Sequence, residues 1–217
     1  MNAEIVDDAS VTRTEEHAKE YFEAQRYVVA KGVLPKQVFE IFERYAILHL
    51  TGDSYFEFDE KTQSFGRYAD ALGESVLMQM KPIVERITGK RLVPTYSFLR
   101  YYSVGSYLGK HTDRDACEIS ATITIGFSGS EIWPIWLEAR GMEIAVPLDV
   151  GDMLIYRGID VPHWREQLEE GYWLQLFIHY IDAEGPHLDQ RFDARDSLGP
   201  NNAWTEAGAE RAEKVKA

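Results

Sequence analysis

The sequence predicts an α+β chain that is mainly β, with an amino-terminal helical layer followed by an antiparallel sandwich or jelly roll. Apolar residues recur at helical spacing up to about Lys90. Beyond it, β-branched and aromatic residues come in short runs separated by Gly and Asp turns. No helical pattern interrupts those runs, which excludes the strand–helix alternation of a parallel sheet.

The elements follow in order. Residues 1–12 are polar and acidic and are expected to be frayed. Residues 13–90 form the helical layer. In it "RTEEHAKEYFEAQRY" and "LPKQVFEIFERYAILHL" read as helices, the second with Phe39, Phe42, Ala46 and Leu50 on one side, and "YVVAKGV" between them reads as a short strand. Pro35 suits the first turn of the second helix. A third helix is expected from Arg67 to about Thr88, with Leu72, Val76, Met80, Ile83 and Ile87 on one stripe and Gly89 as its stop. Residues 91–182 form the β core, from "RLVPTYSFLRYY" through "EISATITIGF", "IWPIWLE", "MEIAVPL", "MLIYRG" and "VPHWREQ" to "YWLQLFIHYI". In 183–217 the pattern dissolves into Gly, Pro, Asn and charges, a mobile tail or a lid over one end of the barrel. The 217 residues fit one domain.

Composition narrows the function. With 23 Lys+Arg against 36 Asp+Glu, the formal charge of −13 speaks against nucleic acid or an anionic membrane as partner, because polyanions are held by Lys and Arg. Cys117 is the only cysteine, so neither an intrachain disulfide nor a thiolate zinc cluster can form, and a reducing, cytoplasmic setting is expected. The start "MNAEIVDDAS" has no basic n-region or apolar h-region, and no stretch approaches the roughly 18 apolar residues of a membrane span.

The chemistry is concentrated in "GKHTDRD". His111 and Asp113 stand two apart on an extended segment, so their side chains fall on one face and can meet at one cation. His163 follows fifty residues after Asp113, at the start of another strand in "DVPHWREQ". Two imidazoles and one carboxylate make a facial triad, which leaves coordination positions open on Fe(II). A second His-x-Asp pair, His187 and Asp189, has no histidine after it and reads as a surface pair, since so short a motif arises readily by chance.

The run Tyr102, Gly105, Tyr107, His111 and Asp113, followed by "PLDVGDMLIYRGIDVPHW", resembles the Fe(II)- and 2-oxoglutarate-dependent dioxygenase superfamily near its prolyl-hydroxylase-like branch, over about 94–182. "HWRE" and "FIHYID" further resemble small bacterial and viral members. The resemblance implies a double-stranded β-helix, cupin-like, with helices packed on it. It also implies iron held by His111, Asp113 and His163, with 2-oxoglutarate and O2 as cosubstrates. The expected reaction is hydroxylation of an unactivated C–H bond with release of succinate and CO2. Asp113 stands where related halogenases carry a small residue, which favours hydroxylation over halogenation.

One position departs from the pattern. The family places an Arg or Lys on the last core strand for the 5-carboxylate of 2-oxoglutarate, and here that strand offers Trp173 and Gln175. A buried carboxylate needs a charged partner. Arg165, two residues after His163 and on the same face of its strand, is the first candidate, and Arg100, two before Tyr102, the second. Tyr102, Thr122 and Thr124 are candidate hydroxyl donors.

Other residues carry plainer readings. His179 reads as a satisfied structural histidine. Arg165 has the alternative of an ion pair with Glu166 or Glu169. Trp133, Trp136 and Trp164 read as sheet packing ahead of a substrate cleft. Arg114, Asp115 and Glu118 suit either substrate contact or a solvated rim, and Cys117 an inert core position. Two other functions fit the same barrel: a metal-dependent cupin enzyme that does not use 2-oxoglutarate, and a non-catalytic metal- or ligand-binding module. The substrate is expected to be a small molecule, an amino acid or a peptide residue; oligomeric state is not encoded legibly.

Overall fold

The computed structural model describes residues 4–7, 11–13, 15–51 and 55–199, with side chains from 17 onward. Eight strands build the core: β6 (Leu92–Ser103), β7 (Leu108–His111), β8 (Ile119–Ser128), β9 (Ile135–Ala139), β10 (Met142–Val146), β11 (Met153–Tyr156), β12 (His163–Arg165) and β13 (Tyr172–Asp182). They divide between two antiparallel sheets. One contains β11-β8-β13-β6 in that order, and the other is β10-β9-β12-β7. This interleaving is the expected double-stranded β-helix.

Alternation along the strands separates two interiors. Ala121, Ile123 and Ile125 of β8, with Leu174, Leu176 and Ile178 of β13, face the helices. The helical side supplies Phe22 from α1 (Glu15–Gln25), Phe39, Phe42 and Ala46 from α2 (Lys36–Leu50), and Leu77, Met80 and Val84 from α3 (Ala71–Thr88). The other parity points between the sheets. It carries Ser120, Thr122 and Thr124 on β8, Trp173, Gln175, Phe177 and His179 on β13, and Phe98, Arg100 and Tyr102 on β6, with Gln175 opposite Arg100 on one side and Thr124 on the other. That polar face between the sheets is where chemistry is available.

Four expectations change. Residues 4–7 and 11–13, read as frayed, form β1 (Glu4–Asp7) and β2 (Val11–Arg13), a hairpin paired with the free edge of β3 (Tyr27–Lys31); an open strand edge is a row of unpaired backbone groups, and the hairpin covers it. The rest of 1–12 lies outside the described residues. β3 itself belongs to the main sheet through its pairing with β11, not to the helical layer. Arg67 and Tyr68 are not helical but end β5 (Ser64–Tyr68), which pairs with β6 and, through β4 (Glu57–Asp59), closes the other side of the sheet. In the tail, 183–199 packs against the barrel through Leu188–Ala194, short 3-10 turns broken by non-helical backbone at Arg191, Phe192 and Asp193, while 200–217 lies outside the described residues. Among the described residues no helix is long and apolar enough to cross a membrane.

The later start of α3 has a local cause. Asp70 is fully buried and caps the helix by accepting from Gly73 N at 2.8 Å. Its other oxygen accepts from the Tyr45 hydroxyl at 2.7 Å and from the Tyr55 hydroxyl, tying α2 and the β4 approach to the helix start. At the far end Gly89 takes φ 66°, the left-handed stop that the sequence signals. Asp70→Ala removes a cap and strands two hydroxyls, so urea unfolding should show a loss of about 2–4 kcal/mol. A change within 0.5 kcal/mol, the scale of a surface substitution, would contradict this role.

Candidate metal centre

β7 and β12 are neighbours, and their register sets His163 directly opposite His111. The two rings lie 4.3 Å apart between centroids. Asp113 follows β7 and is held by its own N–H donating to Gly158 O at 2.9 Å. His111 Nε2 and His163 Nε2 each lie 3.6 Å from Asp113 Oδ1. One donor atom from each of the three residues falls within 4.8 Å of the others, so the sequence-predicted triad converges.

Backbone carbonyls fix which ring atoms face inward. His111 Nδ1 is 2.7 Å from Gly109 O, and His163 Nδ1 is 3.0 Å from Val161 O. A carbonyl only accepts, so both Nδ1 atoms carry a proton and both Nε2 atoms face Asp113, with the Tyr156 hydroxyl also 3.4 Å from His163 Nε2. Burial pushes the Asp113 carboxyl up, but the hydrogen bond from His111 and the charges of His163 and His179 outweigh it and hold it at about 2. Burial lowers the affinity of His163 for a proton, while the hydrogen bond to Asp113 raises that of His111. The donor set is two imidazoles and one ionised carboxylate, suited to a divalent first-row metal with positions left open.

Asp113 is aimed by residues that sequence reasoning did not assign to the site. The Ser120 hydroxyl donates to Asp113 Oδ2 at 2.9 Å, and His179 Nδ1 lies 2.9 Å from the same hydroxyl. A His179–Ser120–Asp113 relay results, so His179 is a satisfied buried histidine whose partner is the site itself. Alternation in "EISATITIGF" places Ser120 on the inward face, but only the fold shows which carboxylate it meets. Asp113, Cys117 and His179 form a second cluster within 4.8 Å. It is the poorer one. Burial pushes the Cys117 thiol up to about 12, and the Ser120 hydrogen bond occupies His179 Nδ1.

Between the sheets lies a cavity of about 220 Å³. Its wall is aromatic, with Tyr96, Phe98, Tyr102, Tyr156 and Phe177 beside the triad, and Arg100 is its one lining cation. Arg100 Nη1 donates to Asp59 Oδ2 at 2.9 Å, to Ser64 Oγ at 2.8 Å and to Thr62 Oγ1. Burial raises the Asp59 carboxyl, but the bond from Arg100 outweighs it and keeps the group below the usual carboxylate range.

Arg165 sits behind this wall and is 1% exposed. Its partners are all neutral: Trp133 O, and Gln175 Oε1 at 3.2 Å from Nη2. Its guanidinium carbon is 4.6 Å from the Trp133 ring centre and 5.4 Å from that of Trp173. No carboxylate pairs with it among the described residues, and Glu166 instead receives Trp164 Nε1. Arg165 Nε and the Tyr102 hydroxyl are both buried without a hydrogen-bond partner. Burial pulls the guanidinium down to about 10, which still leaves it charged at neutral pH. Arg165, on β12 of the opposite sheet, thus places its cation against Trp173 and Gln175 of β13. Thr124 reaches Gln175 Oε1 at 3.4 Å and Leu148 O at 3.2 Å, and Thr122 accepts from Gln175 Nε2 at 2.6 Å, so both threonines orient Gln175 and do not line the cavity.

No protein-family model and no curated protein matches the chain. Solved structures do. A prolyl-4-hydroxylase from Pseudomonas putida superposes with a TM-score of 0.65 at 12% identity, over 79% of this chain and 100% of that one. The fold is that of the 2-oxoglutarate-dependent iron oxygenases. SnoK, a non-haem alpha-ketoglutarate-dependent carbocyclase from nogalamycin biosynthesis, gives 0.67 at 15% identity over 89% and 97% of the two chains. HygX from Streptomyces hygroscopicus, solved with nickel and 2-oxoglutarate, gives 0.60 at 14% over 88% and 96%.

The remaining residues fall outside the oxygenase-fold cavity. His187 lies near Asp115, at 3.6 Å, not Asp189. Trp136 and Trp164 stack at 6.0 Å with Lys110 over Trp164, whereas Trp133 packs inside against Tyr102. Glu118 is no solvated rim residue: it is 4% exposed and accepts from Asp182 N. Arg114 is clasped by Asp193 of the tail, which also receives the Tyr68 hydroxyl.

Gly158 is packed against the back of the metal ligand, where a Cβ would meet Asp113 Oδ2, Cys117 O and Ser120 Oγ. Gly158→Ala should therefore push Asp113 off its position and weaken Mn(II) binding about 10–100-fold in calorimetry, with thermal unfolding run alongside to confirm folding. Unchanged affinity in a folded variant would contradict this placement of Asp113.

Proposed function

We propose that the protein is an Fe(II)- and 2-oxoglutarate-dependent oxygenase that hydroxylates an unactivated C–H bond of a small molecule, an amino acid or a peptide residue. The observation that carries this reading is the buried Arg165 charge, on the strand that carries His163 and behind the wall of the triad's cavity. A guanidinium with only neutral partners is costly in a barrel interior. Its unpartnered Nε, with the unpartnered Tyr102 hydroxyl, makes two donors for the far carboxylate of a dicarboxylate whose other end reaches the metal.

In this reading His111, Asp113 and His163 hold Fe(II), and Arg165 and Tyr102 receive the 5-carboxylate of 2-oxoglutarate. When bound, iron, 2-oxoglutarate and O2 supply the oxidation, in which the keto acid leaves as succinate and CO2 and one oxygen atom enters the substrate. The chain contributes position and exclusion. The Gly109 and Val161 carbonyls keep both Nε2 atoms facing the ion, and Ser120 holds Asp113 Oδ2 away from it. Gln175, oriented by Trp173 Nε1 at 2.6 Å and by Thr122, fixes the Arg165 head. The aromatic wall narrows the space beside the triad, which opens to solvent at His111. Arg100 is the weaker cosubstrate anchor, because Asp59 already neutralises it. The cupin alternative without 2-oxoglutarate rested on the lack of a cation on β13, and Arg165 supplies that charge.

Anaerobic addition of 2-oxoglutarate to the Fe(II)-loaded protein should produce a visible charge-transfer band. Arg165→Met should raise the concentration for half-saturation by about 30-fold or more, as expected when one member of a buried charge pair is lost. No band with wild-type protein would end the reading. His163→Ala should abolish iron-dependent succinate formation, and turnover persisting there would rule out the ligand set.

A further inference from the structure

We propose that the free edge of Arg100 is a substrate receptor for a neutral carbonyl oxygen, so that the enzyme oxidises an amide, ester or peptide and not a carboxylic acid. This rests on the oxygenase reading and deepens it.

Arg100 lines the same cavity as His111 and Asp113. It stands two residues before Tyr102 on the inward face of β6, with its guanidinium carbon 4.7 Å from the Phe98 ring centre. Nη1 makes all of its hydrogen bonds, to Asp59, Thr62 and Ser64. Nε and Nη2 have no hydrogen-bond partner among the described residues, yet they are not among the buried unpartnered atoms, and the side chain is 13% exposed. The hairpin of β4 and β5 thus grips one nitrogen and leaves a two-donor edge accessible. A two-donor guanidinium edge is a receptor for an oxygen acceptor.

Charge decides which acceptor. Asp59 and Arg100 cancel. A divalent ion on Asp113 leaves one net positive charge, and Arg165 adds a second. The two carboxylates of 2-oxoglutarate match those two. A carboxylate on Arg100 would then be surplus charge in a poorly solvated site, on a chain already at −13. A neutral carbonyl takes both donors without that cost. The cavity, about 220 Å³, is smaller than the roughly 300–1,000 Å³ of sites that enclose a drug-sized ligand, so with the cosubstrate in place only the reacting end of the substrate enters it.

The test uses Zn(II)-loaded protein saturated with 2-oxoglutarate, in which no turnover occurs, and the isosteric probes benzamide and benzoate, followed by ligand-observed NMR. Wild type should bind benzamide about tenfold more tightly than benzoate. Arg100→Met should lose that benzamide binding, as should Arg100→Lys, which keeps the charge without the two-donor edge and serves if the Met variant does not fold. Asp59→Asn, which frees the Arg100 charge, should shift the preference towards benzoate. Benzoate binding more tightly in wild type, benzamide affinity unmoved by the Arg100 substitutions, or neither probe binding would overturn the inference. So would a loss of 2-oxoglutarate affinity in Arg100→Met equal to that in Arg165→Met, because Arg100 would then serve the cosubstrate. Failure of wild-type protein to bind 2-oxoglutarate at all would instead strike the oxygenase reading on which the inference stands.

Discussion

A positive charge enclosed between two β-sheets, with no acid to meet it among the described residues, organises the interior of this protein. Arg165 cannot be a packing residue at no cost, since removing a guanidinium from water is expensive and a carbonyl and an amide oxygen return only part of that. The surrounding side chains are arranged to hold the charge and not to neutralise it. Trp133 and Trp173 give it aromatic faces, Gln175 gives it one oxygen, and Thr122 and Thr124 keep Gln175 turned the right way.

The metal triad depends on the same closure of the barrel. β7 and β12 are short strands, and neither brings two ligands to one point alone. Their antiparallel pairing puts His111 across from His163, and the tight Gly158 turn lets Asp113 rise between them. Because β12 carries both His163 and Arg165 inward, one strand fixes how far the Arg165 guanidinium, behind the aromatic wall, stands from the triad. β9, which pairs with β12, carries Ile135, Leu137 and Ala139 into an apolar cluster of its own, which keeps that second sheet from slipping.

Much of this was legible in the sequence because it follows from periodicity. The inward pairing of His163 with Arg165, the stop at Gly89 and the run of core strands all come from alternation and turn chemistry. What was not legible required long-range partners. Nothing in "EIVD" signals that this segment pairs with β3, and Asp70 as a cap falls inside the helix that the sequence reading starts at Arg67. The hairpin that grips Arg100 is similarly hidden, because Asp59, Thr62 and Ser64 look like an ordinary polar turn. His179 reads as a structural histidine and Ser120 draws no reading at all until the sheet places them behind Asp113. Thr124 shows the opposite error: its parity is inward as expected, yet the cavity lies elsewhere and its hydroxyl serves Gln175.

The most direct measurement of the central claim is a crystal structure of the protein grown without oxygen in the presence of Mn(II) and 2-oxoglutarate. The account predicts one ion bonded to His111 Nε2, Asp113 Oδ1 and His163 Nε2, chelated by the keto acid, with the distal carboxylate against Arg165 and the Tyr102 hydroxyl. An ion bound elsewhere, or a keto acid whose far carboxylate leaves Arg165 without an anion, would contradict it.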